Sequence, residues 1–166
     1  MKKSESNQTL DPKTTIGHIH LKVSNLDRSV KFYTEILGFE VMTKIGNSAA
    51  FLSAGGYHHH IGLNTWESAN GNPPPQGSTG LYHFAILVPN RKELAKVFKR
   101  LTEHKYPIEG ASDHGVSEAI YLRDPDDNGI EIYADRPRSK WPKDAKGDIE
   151  MFTKQLDIGS LMKELG

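Results

Sequence analysis

The sequence lacks several features that would place it in a specialised class. Its 166 residues include no cysteine, which excludes disulfide frameworks, thiolate metal sites and cysteine nucleophiles. The 21 basic and 21 acidic side chains cancel, so no excess of charge indicates a nucleic-acid partner. No apolar run approaches the roughly 20 residues that a membrane-spanning helix needs, and no apolar stretch follows the first lysines. These absences predict a soluble, cytoplasmic protein that binds neither nucleic acid nor membrane.

The chain divides into a folded middle and two polar ends. Residues 1–14 show no hydrophobic period and are predicted to form a disordered arm. Residues 15–136 form the predicted domain, with modules at about 15–66 and 80–136 and a Pro- and Gly-rich loop at 67–79 between them. Residues 137–166 are a charged extension with a short helix near 158–165. This extension is expected to pack, to exchange with another chain or to lead into a further domain.

The two modules show the same order of predicted elements. A strand with alternating apolar residues at 16–24 precedes a helix that Asn25 or Asp27 can cap and that Gly38 ends after residue 37. A second strand begins at residue 80, and its helix spans 90–104. Three short strands follow each helix, at 39–45, 48–53, 57–66, 108–112, 118–124 and 129–134. A shift of 65 residues places His18 on His83 and Asn25 on Asn90. The repeat predicts an α+β fold of two βαβββ modules that curve into an incomplete β-barrel around a metal cavity.

Strand alternation directs polar residues of both modules to the concave side of the sheets. If Leu21 and Val23 face the helices, His18 faces the cavity. The same argument directs His83, Tyr121, Arg123 and Glu131 inward. Two neutral imidazoles and one carboxylate form a ligand set that suits Fe(II) and also accepts Mn, Co, Ni or Zn. The alternative is that each is an ordinary half-buried strand residue. The shared face favours a divalent metal site, with Fe(II) as the preferred ion.

Four segments of the chain carry a family resemblance: HIHLKVSNLDRSVKFYTEILGFEV, YHHHIGLNTW, YHFAILVPNRKEL and YLRDPDDNGIEIYADRP. They resemble segments of the vicinal oxygen chelate superfamily, which includes glyoxalase I, extradiol dioxygenases, and fosfomycin- and bleomycin-resistance proteins. The resemblance covers about residues 15–136 and is closest to the catechol-2,3-dioxygenase-like proteins of Gram-positive bacteria. It implies that His18, His83 and Glu131 bind the metal, because they occupy the positions of the family's ligands.

One segment narrows the reaction that the resemblance implies. Residues 113–131, DHGVSEAIYLRDPDDNGIE, are similar to the signature of extradiol ring-cleaving dioxygenases. The similarity implies that Tyr121 hydrogen-bonds a substrate oxygen and that His114 acts as an acid/base or positioning group. His60 is expected to line the pocket or assist with protons. Asp127 stands where the signature has glycine, and we expect it to adopt the left-handed turn conformation.

Two other functions are compatible with the same fold. A lyase or isomerase like glyoxalase I would need a fourth ligand near residues 62–66, where the chain has no carboxylate. A protein that sequesters a small molecule would often lack the metal triad. The three-ligand site therefore favours an extradiol dioxygenase that cleaves a catechol-type small molecule. We expect this enzyme to work as a cytoplasmic homodimer.

Overall fold

A computed structural model of the protein describes residues 9–166, so most of the arm predicted at 1–14 lies outside the described residues. The elements of the first module are β1 (Ile19–Lys22), α1 (Leu26–Lys31), β2 (Glu40–Ile45), β3 (Ala49–Ser53) and β4 (Ile61–Asn64). Those that follow are β5 (Phe84–Leu87), α2 (Arg91–Glu103), β6 (Gly110–Asp113), β7 (Ser117–Arg123), β8 (Gly129–Asp135), β9 (Lys154–Gln155) and α3 (Ile158–Met162).

The strands form two mixed sheets, one for each module. Their orders are β1-β4-β3-β2 and β5-β8-β7-β6-β9. β1 and β5 are edge strands, and each pairs in parallel with the last strand of its own module. The two βαβββ modules are confirmed, and neither of the described sheets closes into a barrel.

The first helix begins after Asn25, a predicted cap, and continues as a π-helix, which has wider turns. The side chain of Asn25 accepts a hydrogen bond from the backbone N–H three residues later, at 3.0 Å. After α1 the chain forms a π-helix at Phe32–Ile36. Its wider turn accompanies the burial of both Phe32 and Tyr33, which are adjacent in sequence. Gly38 ends this segment with a φ of +88°, as the sequence predicts.

Apolar residues from both modules belong to one core. Leu94 and Leu101 of α2 are fully buried at helical spacing. The strands contribute the alternating residues that were expected to face the helices: Leu21, Val23, Ile61, Leu63, Ile120, Leu122, Ile130 and Ile132. The inward and outward assignments along these strands therefore agree with the predicted alternation.

One predicted strand is shorter than its apolar pattern indicates. Residues 57–60 are irregular, and β4 begins only at Ile61. Gly55 and Gly56 have φ values of +72° and +78°, which residues with a side chain rarely adopt. They turn the chain just before this loop. Strand alternation therefore does not apply to the three consecutive histidines of the loop.

A buried carboxylate joins the start of the first helix to the turn between β7 and β8. Asp126 accepts hydrogen bonds from the Ser24 hydroxyl at 2.6 Å, from Arg28 at 2.6 Å and from the Ser29 hydroxyl at 3.1 Å. Burial by itself raises the pKa of Asp126, but these hydrogen bonds outweigh burial and lower it. The carboxylate is therefore charged at neutral pH and ties the two modules together.

Replacing Asp126→Ala is expected to lower the free energy of unfolding by about 2 kcal/mol, because buried hydroxyl groups lose their acceptor. The folded-state pKa lies below the value of about 3.9 for an unfolded aspartate. The stabilisation is thus complete above that pH and is lost as the pH falls through the folded-state pKa. Urea denaturation of the wild-type protein and the variant at pH 7 and pH 3 measures this loss, with the exposed Asp148→Ala as the control. If the two proteins differ in free energy of unfolding by the same amount at both pH values, the lowered pKa of Asp126 is contradicted.

The extension at 137–166 packs on the second module, which was one of the three expected outcomes. β9 pairs with β6, and α3 lies against α2. Leu156 and Leu161 of this extension are buried in the common core. Among residues 9–166, no helix has the length and apolar character needed to cross a membrane.

Candidate active site

The register of the second sheet places polar side chains next to each other. Ala85 of β5 pairs with Glu131 of β8, which pairs with Tyr121 of β7. Directly paired residues project from the same face of a sheet, so Glu131 and Tyr121 are neighbours. His83 lies one residue before β5 and adjoins Glu131.

Gly129 permits the close approach of two chain segments at this point. A Cβ on Gly129 would overlap the carbonyl of Tyr82 and lie 3.0 Å from the Cβ of His83. Because glycine has no Cβ, the segment ahead of β5 can lie against the start of β8. His83 Nε2 lies 3.1 Å from Glu131 Oε2. Asp127, in the preceding turn, has a φ of +67°, which confirms the left-handed conformation expected there.

The other carboxylate oxygen of Glu131, Oε1, contacts Tyr121, which in turn contacts His114. The Tyr121 hydroxyl lies 3.1 Å from Glu131 Oε1 and 2.7 Å from His114 Nε2. Burial, followed by the charge and hydrogen bonding of Glu131, raises the pKa of Tyr121 to about 12. The phenol therefore keeps its proton at neutral pH. His83, Glu131, Tyr121 and His114 form a continuous series of polar contacts, the site series.

A cavity of about 300 Å³ opens beside the site series. This volume lies at the lower end of the range for small-molecule sites. Its lining residues are Tyr82, His83, Glu109, Ser112, His114, Tyr121, Arg123, Gly129 and Thr153. Arg123, which alternation directs inward, donates a hydrogen bond to Glu109 at 2.8 Å. Thr153 belongs to the extension, and no pattern in the sequence pointed to it.

His18 is not part of the site series. Together with His83 it lines a second cavity of about 740 Å³ between the β1 and β5 segments. Its ring packs against that of His59 at a centroid distance of 4.4 Å. Within residues 9–166, no three His, Asp or Glu side chains are grouped closely enough to hold a metal ion. The structure thus joins His83 to Glu131 and leaves His18 as a separate residue of the neighbouring cavity.

Comparison with known proteins assigns the family. Residues 15–132 match the model of the Glyoxalase/Bleomycin resistance protein/Dioxygenase superfamily. The chain belongs to this superfamily. The match spans both modules and includes His18, His83, Tyr121 and Glu131.

Two relatives and one solved structure illustrate how the chain compares within the superfamily. It is 46% identical over 154 residues to a catechol-2,3-dioxygenase of Bacillus subtilis, covering 92% of this chain and 53% of that protein. It is 28% identical to a metallothiol transferase, FosB, of Lysinibacillus sphaericus, covering 83% of this chain and 96% of the relative. A glyoxalase/dioxygenase structure from Nostoc punctiforme has a TM-score of 0.62 at 22% identity, covering 80% of this chain and 99% of that one. The chain therefore spans about half the length of the Bacillus subtilis relative.

His60, the remaining predicted residue, is held outside the site series. Its Nδ1 lies 3.1 Å from the Ser53 hydroxyl and 3.3 Å from the backbone nitrogen of Ala54. His60 lines the cavity of about 740 Å³ together with His18, and it is absent from the lining of the smaller cavity. The smaller cavity thus contains His83, Tyr121 and His114 but neither His18 nor His60.

Proposed function

We propose that the chain is the catalytic unit of a metal-dependent extradiol dioxygenase that cleaves the ring of a catechol-type substrate. The observation that carries the proposal is the site series, which joins His83 and Glu131 to Tyr121 and His114 beside a cavity of about 300 Å³. The 46% identity to a catechol-2,3-dioxygenase over 154 residues supports the same reaction class.

Two of the three predicted donor groups, His83 and Glu131, lie close enough to hold one divalent metal ion between them. His83 Nε2 and Glu131 Oε2 lie 3.1 Å apart, a separation compatible with two ligand bonds of about 2.0–2.2 Å to one ion. His18, which lines the neighbouring cavity with His83, would have to move toward Glu131 to provide the third ligand. One carboxylate and two imidazoles suit Fe(II), and Mn, Co, Ni or Zn are alternatives. When bound, the ion supplies the Lewis acidity and redox chemistry that dioxygen activation needs.

The other two residues of the series handle protons. Cleavage of a catechol requires a ring hydroxyl to lose its proton and the product to gain one. The Tyr121 phenol, which is protonated at neutral pH, donates a hydrogen bond toward the substrate oxygens or toward His114 Nε2. His114 Nε2, at 2.7 Å from that phenol, accepts a proton and returns it. The ring would occupy the cavity between these groups and Arg123.

Reconstitution separates this function from its alternatives. Protein loaded with Fe(II) under anaerobic conditions and mixed with a panel of catechols and dioxygen is expected to form the yellow ring-opened product. Hemithioacetal isomerisation by the Ni(II) or Zn(II) form, with no cleavage of any catechol, would support a glyoxalase-type enzyme. Tight binding of a small molecule without metal uptake or turnover would support a sequestering protein.

We also propose that the enzyme is a cytoplasmic homodimer and that β2 contributes to its interface. β2 is an edge strand, and its exposed residues include Val41, Met42 and Ile45. An exposed apolar edge strand favours pairing with another chain. Met42→Lys is expected to shift the sedimentation coefficient from that of a dimer to that of a monomer, whereas Lys44→Met should leave it at the dimer value. A wild-type protein that sediments as a monomer at all concentrations would refute this.

A further inference from the structure

The C-terminal extension returns to the site along the edge of the second sheet. β9 pairs with β6 through Ser112 with Gln155 and Asp113 with Lys154. Just beyond β9, Leu156 is 4% exposed and its backbone N–H donates to the carbonyl of Ala111 at 3.1 Å. These contacts fix the segment 152–156 beside the end of β6, where the chain continues into His114.

A network of charged residues anchors the end of the extension. Arg91 at the start of α2 donates to Glu118 at 2.6 Å, to the Ser160 carbonyl at 3.1 Å and to Glu164 at 2.8 Å. Glu118 also accepts a hydrogen bond from Arg136 at 2.8 Å. Hydrogen bonds to charged groups are stronger than those between neutral groups. The end of the extension is therefore tied to the second module on the C-terminal side of the segment near His114.

The imidazole of His114 is held between the extension and the site series. Its Nδ1 lies 3.1 Å from the backbone carbonyl oxygen of Phe152 and 3.3 Å from the Thr153 hydroxyl. Its Nε2 lies 2.7 Å from the Tyr121 hydroxyl. A carbonyl oxygen only accepts hydrogen bonds, so this contact requires the hydrogen on Nδ1. In a neutral imidazole, Nε2 then carries the free lone pair.

The position of that hydrogen decides the direction of the contacts at Tyr121. With Nε2 unprotonated, the phenol hydrogen has two acceptors, His114 Nε2 at 2.7 Å and Glu131 Oε1 at 3.1 Å, and the shorter contact favours His114. With Nε2 protonated, Tyr121 would accept from His114 and donate to Glu131. We propose that the Phe152 carbonyl is a positioning group that fixes His114 as the Nδ1–H tautomer and so prepares Nε2 to accept a proton. The kinetic consequence of this tautomer rests on the proposed dioxygenase function, but the tautomer itself does not.

Nitrogen NMR measures the tautomer without any assay of activity. In protein labelled with ¹⁵N-histidine, long-range proton–nitrogen spectra at a pH where the ring is neutral distinguish protonated from unprotonated ring nitrogens. His114 is expected to show a protonated Nδ1 and an unprotonated Nε2. His104, an exposed residue at the end of α2, is expected to show the Nε2–H form that predominates in free histidine.

Weakening the Phe152 carbonyl as a hydrogen-bond acceptor tests whether it fixes the tautomer of His114. Incorporation of the α-hydroxy acid analogue of threonine at position 153 converts the peptide bond after Phe152 into an ester, whose carbonyl is a weaker acceptor. We expect the His114 signals to shift toward a mixture of tautomers and kcat for ring cleavage to fall about fivefold, as for the loss of one hydrogen bond, with little change in KM. The same exchange at the exposed Met151 is the control, and it should change neither quantity.

Thr153→Val separates the two candidate partners of Nδ1. It removes the hydroxyl and keeps the Phe152 carbonyl, so the Nδ1–H tautomer should persist. An Nε2–H tautomer in the wild-type protein would overturn the proposal, and so would an unchanged tautomer in the ester at position 153. If His114 has the expected tautomer but no catechol is cleaved, the positioning role stands and the proposed dioxygenase function fails.

Discussion

Glu131→Gln is expected to cause a larger loss of metal affinity than any other single substitution at the site. Loss of a residue that merely supports a metal ligand costs about 10–100-fold in affinity, so removing the only carboxylate among the predicted ligands should cost more than about 100-fold. The substitution keeps the size of the side chain and removes the negative charge that faces His83 at 3.1 Å. Metal content after dialysis and a competition titration measure this loss, and ring cleavage should disappear with it.

The matched control for Glu131→Gln is Glu109→Gln. Glu109 lines the cavity of about 300 Å³ beside the site series, and its carboxylate accepts a hydrogen bond from Arg123 at 2.8 Å, whereas that of Glu131 pairs with His83. We expect this variant to retain its metal. Equal metal content in the Glu131→Gln variant and the wild-type protein would remove Glu131 from the ligand set and the metal from this part of the cavity.

Strand alternation predicted the parts of the site that depend on a period of two residues. It directed Tyr121, Arg123 and Glu131 to one face, and the sheet register then placed Tyr121 beside Glu131. The repeat of 65 residues placed Asn25 on Asn90, and in the structure each of them caps the helix of its own module. These features are local, because each follows from side-chain direction or from a cap within a few residues.

Long-range contacts and irregular loops could not be predicted from strand alternation or from the repeat. The carbonyl of Phe152 lies 38 residues from His114 in sequence, and every residue has a carbonyl, so no residue type marks its role. The hydrogen bond from Ser24 to Asp126 spans 102 residues and depends on how the two modules pack. The loop at 57–60 departs from the apolar pattern because two glycines with positive φ redirect the chain. The position of His18 relative to Glu131 also depends on module packing, which strand alternation does not determine.

Tyr121→Phe is expected to lower kcat by about 10²–10⁴-fold, the range for loss of acid–base catalysis, because the hydroxyl links the substrate oxygens to His114, the proposed proton acceptor. The substitution preserves the ring and removes the hydroxyl that lies 2.7 Å from His114 and 3.1 Å from Glu131. Because Tyr121 contacts Glu131, a proposed metal ligand, and is not itself a proposed ligand, metal affinity should change far less than turnover. Anaerobic metal titration and steady-state kinetics on the same preparations separate the two effects.

Tyr133→Phe is the matched control for Tyr121→Phe. Tyr133 lies two residues beyond Glu131 on β8, and its hydroxyl makes no hydrogen bond with the residues that the structure describes. Tyr133→Phe removes one hydroxyl oxygen from the same sheet, as Tyr121→Phe does, but it leaves the site series intact. We therefore expect kcat to change at most a few-fold. If the two phenylalanine variants lose activity equally, the hydroxyl of Tyr121 has no special part in proton transfer. If Tyr121→Phe loses its metal as completely as Glu131→Gln, its role is to hold Glu131 in place and the acid/base assignment is wrong.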